Sequence, residues 1–162
     1  MTTRFQLRRG ERGNAMIEFA LSALVLTLMF IITFQFGYAF YVYNKLQTAV
    51  RNGARYASVR NFNAGNASSR TKFQTAVQQM VVYGDPALSS GTPVVPGLAT
   101  GALTVSITDA NGTAASSTVM PDRVQVQVTG YNLDALFRTY SLTTKPVEAF
   151  PYVGLYLPTG TE

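Results

Sequence analysis

Four aspartates are the residues of this chain best suited to acid–base chemistry: Asp85, Asp109, Asp122 and Asp134. Two carboxylates can act as general acid and general base when the fold brings them together. Each of the four, however, has Gly, Pro or Asn within three residues, a setting typical of turns, where Asp bonds to the nearby backbone. The sequence also contains no Cys and no His, which excludes thiolate and imidazole chemistry. We therefore expect a protein that is not an enzyme and has no catalytic residues, no metal site and no cofactor.

A second group of residues, at the amino terminus, carries a different chemistry. A short basic leader ends at Gly13, four uncharged residues follow, and Glu18 then stands at the start of a long apolar run. A carboxylate next to a membrane helix is costly unless it reaches water or finds a partner of opposite charge. On these residues alone, Glu18 either lies at the membrane surface without a role or pairs with a cation.

The apolar run extends over residues 19–43 and contains no charged side chain. As a helix it would be about 37 Å long, enough to cross a hydrocarbon core of about 30 Å. Tyr38, Tyr41 and Tyr43 cluster at its far end, as aromatic residues do where a helix leaves the bilayer. It is too long for a cleaved secretory signal, and too little chain remains to bury it as a core helix. We predict a single transmembrane helix.

Helical periodicity continues beyond the apolar run, with apolar residues on one face and polar residues on the other. No helix-breaking residue separates the two parts, so we predict one helix over residues 15–59 whose last third is an amphipathic stalk. Gly53 lies inside this helix, where it costs about 1 kcal/mol relative to Ala. We expect either a close packing contact at Gly53 or a glycine that is merely tolerated.

The remaining residues, 61–162, predict a small α+β head. A turn-rich link over residues 61–69 leads to an amphipathic helix through Phe73 and Val81, with Ser68 or Ser69 as its cap. A loop rich in Pro and Gly then precedes strands that alternate apolar and polar residues. The predicted strands cover residues 103–108 and 123–129, and a weaker third lies within 140–150, where Pro146 limits it to an edge or a bulge. We expect one face of a short antiparallel sheet to pack on the second helix.

Two motifs connect these features to a known family. Gly13 followed by Glu18 and an unbroken apolar helix resembles the processing site of type IV pilins. The run Glu18-Phe19-Ala20-Leu21, followed beyond the membrane by Gly53-Ala54-Arg55-Tyr56-Ala57, is similar to the TadE-like pseudopilins, which are minor pilins of Tad/Flp-type systems. The similarity covers about residues 8–60 well, and the head matches only in outline.

The resemblance implies how the chain would work. A prepilin peptidase would remove residues 1–13 by cutting after Gly13, so that Asn14 becomes the new amino terminus. Glu18 would then pair with the amino group of a neighbouring pilin, and the apolar, Ala- and Gly-bearing face of the helix, including Gly53, Ala54, Arg55, Tyr56 and Ala57, would pack between subunits. The expected partners are other pilins, the peptidase, assembly-platform proteins and membrane lipid.

The resemblance also implies a location. The amino terminus would be cytoplasmic, residues 14–60 would form the transmembrane and stalk helix of an inner-membrane protein, and the head would be extracytoplasmic. The net charge of +5 does not indicate a nucleic-acid partner. The leader holds four of the 13 basic residues and one of the 8 acidic residues. Without the leader, nine basic and seven acidic residues remain, so much of the positive charge belongs to the leader.

Two other classes of function stay open on the sequence. The chain could be an uncleaved, single-pass adhesin or scaffold whose head binds an envelope partner. It could also be an envelope enzyme, although no convergent set of catalytic residues is visible in the sequence.

Overall fold

A computed structural model describes the backbone of residues 9–116, 119–135 and 138–157, and side chains from Gly13 onward. Most of the predicted leader therefore lies outside the described residues. The chain divides into two compact units, Met1–Tyr38 and Ala39–Glu162, so that residues 39–59 of the long helix belong to the same unit as the head.

The long helix, α1, covers Arg9–Val59 and confirms the single N-terminal helix predicted for residues 15–59. It begins six residues earlier than predicted. Arg9, Glu11 and Arg12 are good helix formers and no proline interrupts them, so Gly13 and Asn14 do not stop the helix. Among the described residues α1 is the one helix long and apolar enough to span a membrane, and no part of its most apolar window is buried by the protein.

The second helix, α2, covers Ala67–Tyr83. Its cap is Asn66, so the prediction of Ser68 or Ser69 was wrong: the Asn66 Oδ1 accepts hydrogen bonds from the backbone N–H groups of both serines, at 2.9 and 3.2 Å. Asn is among the best N-cap residues because its short side chain reaches these unpaired donors. The helix ends at Gly84, whose φ of 75° is favourable only without a side chain.

Within the described residues, the strands form three small sheets. β2 (Leu103–Thr108), β3 (Arg123–Val128) and β6 (Val147–Pro151) make an antiparallel sheet in the order β2-β3-β6. β4 (Tyr131–Ala135) and β5 (Arg138–Leu142) make an antiparallel pair, and β1 (Phe62–Asn63) pairs in parallel with β7 (Tyr156–Leu157).

These sheets confirm an α+β fold and correct its details. The two alternating strands lie where they were predicted, and β6 is an edge strand preceded by Pro146, as its missing N–H requires. The weak third strand of residues 140–150 is in fact the end of β5 and most of β6. The predicted link over residues 61–69 contains β1 and the start of α2.

One core joins both helices to the main sheet. The sheet contributes Val105, Val124, Val126 and Val128, α2 contributes Phe73, Val77 and Val81, and α1 contributes Leu46, Val50, Ala54 and Ala57. The Gln78 side-chain amide of α2 donates to the carbonyl of Leu103 at 3.1 Å, which fixes the helix against β2. The expected packing of α2 on one sheet face is therefore present, and the stalk of α1 is part of the same core.

Candidate functional site

Gly13, Asn14 and Glu18 all lie on α1 and are exposed. Four residues of helix separate Asn14 from Glu18, which places them on one face about 6 Å apart along the axis. No described atom lies within 4 Å of a Cβ built on Gly13, so the backbone around the predicted cleavage site is open. The geometry keeps the carboxylate close to the residue that cleavage would make the amino terminus.

The side chains around Glu18 are apolar and turned outward. Met16, Ile17 and Phe19 are all more than 60% exposed, and large exposed apolar residues recur along α1 as far as Tyr41. Two hydroxyls within this surface are paired by the helix itself: Thr27 donates to the Ala23 carbonyl at 2.7 Å and Thr33 to the Met29 carbonyl at 2.9 Å. A surface that is mainly apolar, with these hydroxyls paired internally, suits contact with lipid or with other apolar helices.

Three residues of the second motif, Gly53, Ala54 and Ala57, face the chain's own core. A Cβ on Gly53 would collide with Cγ2 of Val81 and lie 3.6 Å from the Val77 carbonyl oxygen, so α2 approaches α1 closely there. Ala54 and Ala57 are fully buried, whereas Arg55 is exposed. These small residues therefore serve packing within one chain.

Tyr56 has a different role from the other residues of its motif. Its side chain is half-buried, its hydroxyl accepts a hydrogen bond from the Arg60 guanidinium, and the Arg60 Cζ lies 5.3 Å from the centre of its ring. Tyr56 thus holds a cation at the carboxyl end of α1, where positive charge is favourable.

The carboxyl end of α1 is closed by the C-terminal segment of the chain. The backbone N–H groups of Val153 and Gly154 both donate to the Ser58 carbonyl, at 2.9 and 3.0 Å. The Tyr152 hydroxyl lies 2.9 Å from the carbonyl oxygens of both Arg60 and Leu155, so its one proton is shared between these two acceptors. Burial raises the pKa of Tyr152 above 10.0, and a backbone hydrogen bond at Phe62 offsets part of that rise. The periodic patterns of the sequence did not predict that the C-terminal segment would bind the carboxyl end of α1.

Two of the four aspartates, Asp85 and Asp109, make local turn bonds of the predicted kind, whereas Asp134 lies within the strand β4 and not in a turn. The Asp109 Oδ1 accepts backbone N–H groups of Asn111 and Thr113 at 3.0 and 2.6 Å, and Asp85 accepts that of Ala87 at 2.8 Å. Asp134 accepts the Thr139 hydroxyl at 2.7 Å. Asp109 and Asp122 line one shallow depression, but the part of the chain that the structure describes has no group of three or more carboxylates arranged to hold a metal ion.

The exposed apolar helix with a carboxylate near its start is the part of the chain that the comparison with known families recognises. Residues 13–55 match the family model described as TadE-like protein. The match runs from Gly13 through Glu18 to Arg55, so the resemblance predicted from the two motifs is confirmed over these residues. No curated protein and no solved structure matches the chain.

Proposed function

We propose that this protein is a minor pilin, or pseudopilin, that takes part in assembly of a Tad/Flp-type pilus or a related secretion apparatus. The observation that carries the proposal is the coincidence of the TadE-like match, which includes Gly13 and Glu18, with an exposed apolar helix long enough to span a membrane. The helix inserts in the inner membrane with the amino terminus in the cytoplasm, and the head lies on the other side.

Processing supplies the positive charge that Glu18 needs. Cleavage after Gly13 by a prepilin peptidase leaves Asn14 with a free α-amino group, which is mostly protonated at neutral pH. Glu18 then attracts the amino group of an adjacent subunit, because two opposite charges in an apolar medium interact strongly and neither is stable alone. This pairing sets the register of one helix against the next.

Subunit contacts use the part of α1 that the fold leaves exposed. Because Gly53, Ala54 and Ala57 pack in the chain's own core, the interface with other pilins lies upstream of them, on the apolar residues from Phe19 to Tyr41. Assembly-platform proteins are expected to recognise this anchored subunit during its extraction from the membrane.

Cleavage is tested by the intact mass of the protein extracted from membranes of cells with an active prepilin peptidase. The expected mature chain starts at Asn14, and Gly13→Leu is expected to keep the full-length mass. Gly10→Leu is the matched control, because it alters a glycine of the leader away from the cut. A full-length wild-type chain beside other processed pilins would contradict the proposal.

The pairing charge is tested with Glu18→Gln, which removes the charge and keeps the shape of the side chain. We expect normal cleavage but loss of co-purification with other pilins and loss of piliation. Glu11→Gln, in the segment that is removed, is expected to assemble like wild type. Normal piliation by Glu18→Gln would show that this carboxylate does not register subunits.

A second candidate is an uncleaved, single-pass adhesin or scaffold protein. It is favoured by apolar side chains on the head that the described fold does not cover: Met120 is 71% exposed and Val153 is 72% exposed. Large exposed apolar residues often mark interaction surfaces. An intact leader together with capture of an envelope protein by the head would support this function over the first.

A further inference from the structure

A groove in the unit Ala39–Glu162 lies between the stalk of α1 and the end of α2. It encloses about 400 Å³, and its floor is apolar, formed by Ala49, Met80 and Val81. Tyr41 and Val94 line its sides. The Val94 N–H donates to the Val82 carbonyl at 2.7 Å, which fixes this residue beside the end of α2.

The loop that carries Val94 connects α2 to the main sheet and exposes further apolar surface. Leu88 is 45% exposed and Val94 is 40% exposed, whereas Val95 and Leu98 are buried and anchor the loop. No charged residue occurs between Asp85 and Asp109. An uncharged loop that turns apolar side chains outward is suited to a surface that is itself apolar or interfacial.

The only charged side chain among those that line the groove is Lys45. Its ammonium group lies 5.3 Å from the centre of the Tyr41 ring, and the polar side chains of Asn44 and Thr48 are its neighbours on the same rim. Tyr41 is 23 residues beyond Glu18, about 34 Å along a helix, compared with about 30 Å of hydrocarbon. Tyr41 and Lys45 therefore belong at the level of the lipid headgroups, where Tyr and Lys are favoured.

We propose that this groove and the loop around Leu88 and Val94 form a membrane-contact face, which seats a phospholipid of the leaflet on the head's side. The phosphate pairs with Lys45, Leu88 and Val94 enter the interface, and the apolar floor receives the start of an acyl chain. The proposal rests on α1 spanning the membrane as described above. It adds that the head is bound to the bilayer surface until the subunit leaves for the filament.

Single cysteines test this face, because the chain has no other thiol. Nitroxide labels are placed at Leu88→Cys and Val94→Cys in the full chain, one copy per nanodisc of phosphatidylglycerol and phosphatidylcholine. We expect collisions with a water-soluble nickel chelate to be several-fold rarer, and collisions with oxygen more frequent, than at Met120→Cys. Met120 is the matched control because it is an exposed apolar residue of a different loop.

A label at Phe30→Cys, within the apolar run, separates the two proposals. If Phe30 is open to the nickel chelate, the membrane anchor itself is wrong. If Phe30 is protected while Leu88 and Val94 resemble Met120, the anchor stands and the membrane-contact face is overturned. Protection that arises only when a second pilin is added would assign the groove to a neighbouring subunit and would also overturn it.

The pairing of the Lys45 ammonium group with a lipid phosphate is tested by Lys45→Glu, with Lys45→Arg as the control. In phosphatidylglycerol nanodiscs, Lys45→Glu is expected to remove most of the protection of the Val94→Cys label from the nickel chelate. Lys45→Arg is expected to keep that protection. Equal protection in both variants would show that no lipid phosphate binds at residue 45.

Discussion

Gly53 of α1 lies directly against Val81 of α2, so closely that a Cβ at residue 53 would overlap the Val81 Cγ2 and stand 3.5 Å from the Val81 Cβ. Val81 itself is fully buried. The glycine of the Gly-Ala-Arg-Tyr-Ala motif thus sets how closely the stalk and the second helix approach. The helix propensity lost at Gly53 is offset by packing that a larger residue would prevent.

Gly53→Ala is expected to destabilise the fold by about 1 kcal/mol, and by no more than about 2 kcal/mol. Overpacking costs about 1–3 kcal/mol, and better helix propensity returns only about 1 kcal/mol. Val81 relieves the overlap poorly because a β-branched side chain in a helix has one favoured rotamer. The free energy of unfolding in detergent, from urea titrations followed by near-ultraviolet tyrosine signals, measures the effect.

The contact is isolated by combining Gly53→Ala with Val81→Ala. Val81→Ala alone should cost about 1–3 kcal/mol by leaving a cavity, and the double variant should lose less than the sum of the two. Gly37→Ala, in α1 where no described atom lies within 4 Å of the added carbon, serves as control and should not destabilise. Strictly additive losses would show that residues 53 and 81 do not compete for space.

The elements that the sequence predicted well are those whose residue pattern extends over many positions. α1 follows from an uncharged run joined to an amphipathic one, and β2 and β3 follow from six-residue alternation. β4 also alternates, with Tyr131 and Leu133 buried, but Asn132 and Asp134 are poor strand formers and hide the pattern. The parallel pairing of β1 with β7 joins residues more than 90 positions apart, and two-residue strands have no period to detect.

The candidate site also has a part that could be predicted from the sequence and a part that could not. Gly13 and Glu18 were found because their spacing and the apolar run are local features of the sequence. The face around Lys45 and Val94 was not found, because it exists only once the loop folds back beside the stalk through the Val94–Val82 hydrogen bond. Tertiary contacts between distant segments leave no periodic trace in one sequence.

Asn66→Ala is expected to destabilise the head by about 1 kcal/mol, because it removes the acceptor for two backbone donors at the start of α2. Asn66→Asp should retain most of the stability, since its carboxylate accepts the same bonds and favours the positive end of the helix. Ser68→Ala is the control for the earlier expectation of a serine cap. A larger loss for Ser68→Ala than for Asn66→Ala, in the same urea titrations, would contradict the assignment of Asn66.

The stability that Tyr152 contributes at the carboxyl end of α1 is expected to depend on pH. Because burial raises its pKa in the folded state above 10.0, the unfolded chain releases this proton first as pH rises. The contribution of Tyr152 to stability is therefore complete below about pH 10 and is lost as pH rises from there through the folded-state pKa. Tyr152→Phe also removes the bonds to the Arg60 and Leu155 carbonyls, at a cost of about 1 kcal/mol.

Wild type should exceed Tyr152→Phe in stability at neutral pH, and the difference should narrow above about pH 10. Urea titrations of both proteins at several pH values measure the narrowing directly. Ser58→Ala is a suitable control because it removes the hydroxyl bond to the Arg55 carbonyl, 2.8 Å long, at the same end of α1. A serine hydroxyl does not titrate in this range, so the cost of that change should stay constant with pH. A difference between wild type and Tyr152→Phe that is equally constant would show that folding does not raise the pKa of Tyr152.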